Sequence, residues 1–360
     1  MRVLVTGGTG YVGSHTVAAL IADGHQVRLL VRAAQRVAPA LAPLGLQAAN
    51  LDTIVGDVTD PAAVDQAVRG CDAVVHAGSV YSLDSRDAGR ILQVNVRGTD
   101  LVLGAAHRAG LDPIVYVSSV VALLPPGGQT LTPDSPAGHP PGPYLESKAE
   151  AERVARRYQE AGAPVVITYP ATVLGPHDPH LGDQLRRLRN ILKGRVPIAP
   201  SGGYGVVDVR DLAKVHAAVL EPGRGPRRYL AGGTFVGFAE LVARLGAVTG
   251  RRLRAVTVPA GLLLPVGRVV QQVQRIVPVH IPVEFEGIYF IRCAARSDDT
   301  ATRTELGVVP RDLQVTLADS VRWLFEQGHI SPQQAGQLTR ELDDELLPTG
   351  TGKLPADRQR

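Results

Sequence analysis

Cysteine is almost missing from this 360-residue chain: two thiols, Cys71 and Cys293, are too few for a disulfide framework. No Cys/His cluster at ligand spacing offers a metal site, so none is expected. Both thiols read as small buried hydrophobes. Long hydrophobic runs are missing too. The greasiest stretch, residues 255–270, is broken by Pro259, Gly261, Pro265 and Arg268 and falls short of the roughly 18 apolar residues that a membrane span needs. Aromatic residues make up only 4% of the chain and its basic residues are scattered, so despite a net charge of +4 there is no stacking platform in a basic groove for nucleic acid. No charged leader with an apolar segment and a cleavage site is visible, and a cytoplasmic protein is expected. Repeats are absent. What the chain does have is 44% hydrophobic against 20% charged residues, enough to bury a full core.

Short β-branched runs alternate with helical patterns through the first two-thirds of the chain, which is the signature of βαβ units and a parallel sheet. The expected strands are Arg2–Thr6, Gln26–Val31, Thr53–Val55, Ala73–His76, Ile114–Ser118 and Val165–Tyr169. Between them lie helices at Tyr11–Asp23, Pro61–Arg69, Asp87–Ala109 and Tyr144–Ala161, each followed by a glycine suited to a left-handed cap. Beyond Gly175 the alternation weakens. Residues 205–209 are expected to return toward the sheet and Arg228–Ala231 to rejoin it. Helices are expected at Phe238–Thr249, Pro259–Ile276, Pro282–Arg292 and Leu313–Gln327, with a short strand at Leu253–Val258.

The organisation is thus an α/β, Rossmann-type doubly wound parallel sheet over residues 1–175, with return strands near 205–231. A smaller, interleaved substrate lobe spans 176–330, and a flexible tail 331–360.

Thr6-Gly7-Gly8-Thr9-Gly10-Tyr11-Val12-Gly13 follows a strand and opens a helix, the context in which a glycine pattern carries meaning. Gly7 permits a tight turn, Gly10 lets the backbone approach a pyrophosphate, and Gly13 allows close packing, while the helix N-terminus supplies amides. An acidic residue about 20 positions further on would select NAD. Here the second strand ends at Arg32, with Arg36 nearby, and a guanidinium suits a 2′-phosphate, so NADP(H) is favoured over NAD(H). Tyr144 and Lys148 stand four residues apart on one helix face, so both can enter one cleft, where a cation would lower the phenol pKa toward working pH. Ser118 and Ser119 close the fifth strand, at the end where ligands bind in such sheets.

The glycine loop, together with Gly56-Asp57-Val58, His76-Ala77-Gly78, Asn95-Val96-Arg97-Gly98-Thr99, Ser118-Ser119 and Tyr144-Leu145-Glu146-Ser147-Lys148, resembles the extended short-chain dehydrogenase/reductase superfamily. Within it, the likeness is to the epimerase/dehydratase and dihydroflavonol-reductase or 3β-hydroxysteroid-dehydrogenase-like branch, up to about residue 330. The resemblance implies that Ser119, with Ser118 as fallback, Tyr144 and Lys148 are catalytic. It further implies cofactor contacts from Gly7, Thr9, Gly10, Tyr11, Val12, Gly13, Arg32, Asp57, Val58, Ala77, Gly78, Ser118, Tyr144, Lys148, Pro170, Ala171 and Val173. Asn95 either holds neighbouring backbone, the favoured role, or joins a proton relay.

The departures from that pattern are informative. Epimerases of nucleotide sugars usually carry an arginine where this chain has Tyr204-Gly205, and Val-Tyr-Gly after the serines where it has Val121-Ala122-Leu123. The implied pocket is apolar. Leu262, Leu263, Val266, Val269, Val270, Val273, Ile276 and Val277 repeat at helical spacing, a stripe that reads first as core, with a pocket wall or peripheral membrane contact left open. The expected function is NADP(H)-dependent reduction of a carbonyl, or oxidation of a secondary alcohol, on an apolar small molecule by a monomer or homodimer. An epimerase or dehydratase with tightly bound NAD and a non-catalytic dinucleotide sensor are the alternatives.

Overall fold

The computed structural model describes residues 1–82, 85–276 and 285–339. Twelve strands are present among them: β1 Arg2–Thr6, β2 Gln26–Val31, β3 Asp52–Val55, β4 Ala73–His76, β5 Ile114–Val117, β6 Val165–Pro170, β7 Thr172–Leu174, β8 Ile198–Pro200, β9 Tyr204–Asp208, β10 Arg227–Ala231, β11 Thr234–Val236 and β12 Val256–Val258. Seven form one parallel sheet in the order β10-β6-β5-β4-β1-β2-β3. The chain winds outward from β1 through β2 to β3, then crosses back to β4 on the other side, so the direction of winding reverses between β1 and β4. A crevice opens at that point beyond the carboxyl ends of the strands.

Residue alternation along each strand assigns the two faces. Val3, Val5 and Val75 pack with Val17 and Ala217 from helices Tyr11–Ala22 and Val209–Ala218. Leu4, Val74 and Ile114 pack with Val64, Val102 and Ala155 from helices Pro61–Val68, Gly98–Arg108 and Pro143–Glu160. Gly24, Gly70, Gly110 and Gly162 stand just past four of these helices with φ of 81°, 69°, 72° and 85°, the left-handed geometry in which a Cβ is strained. Three buried histidines cross-link the layers through side-chain or backbone oxygens. His76 bonds Thr6 and Thr99, His216 bonds Thr16 and Thr168, and His15 bonds the Pro176 carbonyl.

Several expectations change. The helix expected over 87–109 is interrupted: Ala88–Leu92 runs into a π-helical turn at Gln93–Arg97 before Gly98–Arg108. The buried Asn95 sits in that turn, where the wider ring re-aims its side chain. The strand over 204–208 does not return to the main sheet but is central in a three-stranded sheet, β11-β9-β7. Only Val256–Val258 of the strand expected from Leu253 pairs, and it pairs with β8. Residues 331–339, expected to be flexible, include a helical turn at Pro332–Ala335 closed by a capping box between Ser331 and Gln334. Ala335 and Leu338 join the core of the second lobe with Leu317, Trp323 and Leu324, so burial holds this segment down. Residues 340–360 lie outside the described residues. Cys71 and Cys293 are half-buried rather than buried.

The apolar stripe is the largest change. In helix Ala260–Ile276, Leu262, Val266 and Val269 are 67%, 50% and 64% exposed, so this face is not core. Leu263 and Val270 are partly buried. The side chains of Val273 and Ile276, and Val277 altogether, lie outside the described residues. No helix among the described residues is long and apolar enough to cross a membrane.

Candidate active site

The glycine loop is built so that its backbone packs directly against the chain leaving β4. Gly7 has φ of 75°, and a Cβ there would lie 2.7 Å from the backbone of Ala77 and Gly78. A Cβ on Gly13 would meet the Gly7 carbonyl oxygen, so its close packing is against the loop itself rather than the strand. Helix Tyr11–Ala22 starts at Gly10 with no side-chain cap and no acidic residue in its first turn, which leaves amides and the positive end of the helix dipole toward the crevice. This cradle suits a pyrophosphate. Thr6 accepts the Gly78 amide at 3.1 Å, and its contact with His76 fixes the β4 end behind Ala77 and Gly78. Tyr11 is tied by its hydroxyl to the Gly175 carbonyl at 2.7 Å, and Val12 and Val173 pack on the same small cluster.

At the next strand ends, Arg32 is exposed beyond β2, and Asp57 follows β3 with one carboxylate oxygen accepting the amide and hydroxyl of Thr59. Gly98 is needed here because a Cβ would come within 2.9 Å of Val58. Asn95 is saturated: its oxygen accepts from Ser79 and the Val80 amide, and its nitrogen donates to the Val80 carbonyl and Ser147. It pins the loop after β4 to helix Pro143–Glu160.

The two serines after β5 differ in surroundings. Ser118 is buried and donates to Glu152 at 2.8 Å, whereas Ser119 is partly exposed, accepts the Val121 amide and donates to the Pro170 carbonyl at 3.3 Å. Lys148 is buried, donates from Nζ to the Val117 carbonyl at 3.2 Å and lies over the Tyr116 ring. Tyr144 is partly buried one turn earlier, edge-on to Tyr81 with ring centroids 4.8 Å apart. The end of β5 therefore has Ser119 bonded to the Pro170 carbonyl and Lys148 bonded to the Val117 carbonyl, with Tyr144 one turn before Lys148 on the same helix.

The electrostatics differ from the simple expectation that Lys148 lowers the phenol. Burial pushes Tyr144 above the ordinary phenol value, and Glu286 pushes it the same way. Burial lowers Lys148 to about 8, opposed by Glu152. Glu286 was not foreseen. Its carboxylate, from helix Phe285–Cys293 in the second lobe, is buried and accepts the Leu145 amide at 2.9 Å, finishing the N-terminus of helix Pro143–Glu160 beside Tyr144. Gly142, with φ of 106°, makes room for it, since a Cβ there would fall 2.4 Å from the carboxylate.

Glu152 was also missed, although Tyr144, Lys148, Glu152 and Arg156 recur every four residues. It accepts from Ser118, Arg156 and Tyr169 at 2.6 to 2.8 Å.

A buried ammonium with one carbonyl partner costs stability. Lowering Lys148 from 10.5 to about 8 corresponds to about 3 kcal/mol at neutral pH. Lys148→Met is expected to raise the melting temperature by a few degrees at pH 7, less what the unpaired Val117 carbonyl costs. Between pH 8 and 10.5 the unfolded lysine binds the proton that the folded one has released, so wild-type stability rises with pH there and the gain should vanish. Calorimetry of both proteins at pH 7 and 10 checks this; a gain unchanged at pH 10 refutes it.

On the substrate side, β9 presents Tyr204, buried and 5.9 Å from the Phe290 ring, where a diphosphate-gripping arginine would stand.

Comparison with known proteins agrees with this architecture. The model of the NAD dependent epimerase/dehydratase family matches residues 3–232. A Synechocystis sp. protein provisionally named dihydroflavonol 4-reductase is 32% identical over 337 residues, covering 91% of this chain and 96% of its own length. The sterol demethylase protein B of Methylococcus capsulatus is 29% identical over 338 residues, covering 92% and 100%. The crystal structure of gox2253 superposes with a TM-score of 0.77 at 30% identity, covering 92% of this chain and 99% of that one. With a glycine cradle at the sheet's reversal point and a family model matched over more than half its length, the chain belongs to the NAD-dependent epimerase/dehydratase family of extended short-chain dehydrogenases/reductases.

Proposed function

We propose that this enzyme reduces a carbonyl, or oxidises the corresponding secondary alcohol, on an apolar small molecule, using NADP(H) in preference to NAD(H). The observation that carries the reading is the division of labour at the β5 end: the buried Ser118 hydroxyl is held by Glu152, Ser119 is the partly exposed one of the pair, and Lys148 reaches the Val117 carbonyl at the same strand end. The nucleotide, when bound, supplies or accepts the hydride. Ser119 orients the substrate oxygen, Tyr144 gives it the proton in the reductive direction, and Lys148 holds the ribose hydroxyls. Gly7, Gly10 and Gly13 would cradle the pyrophosphate, Ala77 and Gly78 would line the ribose and pyrophosphate, and Pro170, Ala171 and Val173 would contact the nucleotide.

Arg32, exposed at the end of β2 where an acidic residue would favour NAD, supports the choice of NADP(H). Tyr204 in place of a basic grip supports an apolar substrate, as does a relative named for sterol demethylation. The test is a panel of alicyclic and long-chain ketones and alcohols against both nucleotides, followed by nicotinamide absorbance, beside nucleotide sugars. NADPH-linked turnover of apolar ketones is expected. Turnover of a nucleotide sugar, or stoichiometric NAD in the purified protein, would establish the epimerase alternative. Tighter binding of NADH than NADPH would overturn the cofactor preference.

A further inference from the structure

Apart from Val309 and Val315, the exposed large apolar residues of the second lobe lie in two neighbouring stretches of chain. Val196 and Ile198 precede and enter β8, and Val256 is the partner of Ile198 in β12. Two residues after β12, helix Ala260–Ile276 begins, with Leu262, Val266 and Val269 spaced along one side. All six side chains are half or more exposed. Exposed cations accompany them: Lys193 and Arg195 before Val196, Arg252 and Arg254 before Val256, and Arg268 between Val266 and Val269. No Asp or Glu occurs between residues 184 and 207 or between 241 and 283. Among the described residues, none of Lys193, Arg195, Arg252 or Arg254 enters a salt bridge, and Arg268 lies over the Phe285 ring.

We propose that this face is a docking surface for an anionic lipid bilayer. The apolar side chains would enter the headgroup boundary and the cations would meet the negative surface, the two contributions on which interfacial helices depend. A second copy of the chain fits less well, since a two-fold contact would set the same cations against one another. A protein partner fits less well too, because the patch is aliphatic and lacks the tyrosine and tryptophan anchors that dominate such interfaces. The surface adjoins the active site. Helix Ala260–Ile276 packs against the turn Ser85–Asp87, close after Tyr81, whose ring touches Tyr144. Docking would therefore bring the site mouth toward a reservoir of apolar molecules, which rests on the substrate class proposed above, whereas the docking itself does not.

The experiment is cosedimentation of the full chain with sucrose-loaded vesicles of phosphatidylcholine alone or with roughly 30% phosphatidylserine, the charge typical of an anionic leaflet. Partitioning on the anionic vesicles is expected to be roughly tenfold or more stronger and to collapse at high salt. L262D/V269D and R252E/R254E should each lower it by about tenfold, with NADPH titration and thermal unfolding reporting an intact fold. Equal partitioning on both vesicles, no partitioning, or variants that partition like the parent would overturn the proposal. So would a concentration-dependent dimer dissolved by L262D/V269D in light scattering, which would assign the face to a second copy. A negative vesicle result leaves the ketone panel untouched, so the two failures are distinguishable.

Discussion

Tyr144→Phe is expected to lower turnover by roughly 10²–10⁴-fold, the usual worth of a positioned general acid, with NADPH binding retained. The substitution removes one hydroxyl and leaves the ring against Tyr81, so packing at the mouth of the cleft should survive. The size of the effect follows from the surroundings of the phenol. Burial and Glu286 both hold it protonated far into the alkaline range, so it is a donor in waiting. It would become a base only if positive charge came beside it. Steady-state kinetics on a substrate found by the ketone panel, with NADPH titrated in parallel, decides the matter. Turnover within a few fold of the parent would remove Tyr144 from the mechanism.

Acidification from pH 7 to 5 is expected to cost the fold on the order of 5 kcal/mol through His15, His76 and His216 alone. Burial holds them at about 4, 3 and 3, with a small further lowering of His76 by Lys148, against about 6.5 for an unfolded histidine. The depressed values fix the sign. Stability is full above pH 6.5 and drains as pH falls toward 4 for His15 and toward 3 for His76 and His216, because the unfolded chain takes up protons that the folded one refuses. These rings join β1 and β4 to helix Gly98–Arg108, and helices Tyr11–Ala22 and Val209–Ala218 to β6, so charging them would strain both layers at once. Urea unfolding at the two pH values, with proton uptake near three per molecule at pH 5, is the check. A midpoint that does not move between pH 7 and 5 would show that the histidines are more open than this packing implies.

How much was legible in the sequence depended on the range of the forces involved. Strands such as Ala73–His76 and Val165–Pro170 are buried on both faces and declare themselves by β-branched runs, and a glycine after a helix is a local steric matter. Three-residue strands such as β7 and β11 carry no periodicity, so of the small sheet around Tyr204 only the central strand was expected, and it was assigned to the main sheet. The stripe on helix Ala260–Ile276 shows why amphipathic spacing is ambiguous: it identifies an apolar side without saying what that side meets. In the candidate site, the i, i+4 placement of Tyr144 and Lys148 was visible, and Glu152 could have been added by extending the same spacing. Glu286 could not, since its contact spans 141 residues and depends on a chain reversal that no local pattern encodes.

The Glu286–Leu145 contact bears on how such an enzyme can be divided. The family match ends at residue 232, and the glycine loop, both serines, Tyr144 and Lys148 all precede that point. A chimera joined there would inherit the nucleotide cradle, both serines, Tyr144 and Lys148, yet the Leu145 amide would lose its acceptor and the glycine at 142 would face a stranger. Asp299 adds a second tie across the same junction by accepting the Gly232 and Gly233 amides. Exchange of substrate lobes between relatives therefore has to carry Gly142 and the carboxylate at 286 as a matched pair, and lineages that diversify by shuffling this lobe should inherit the two together.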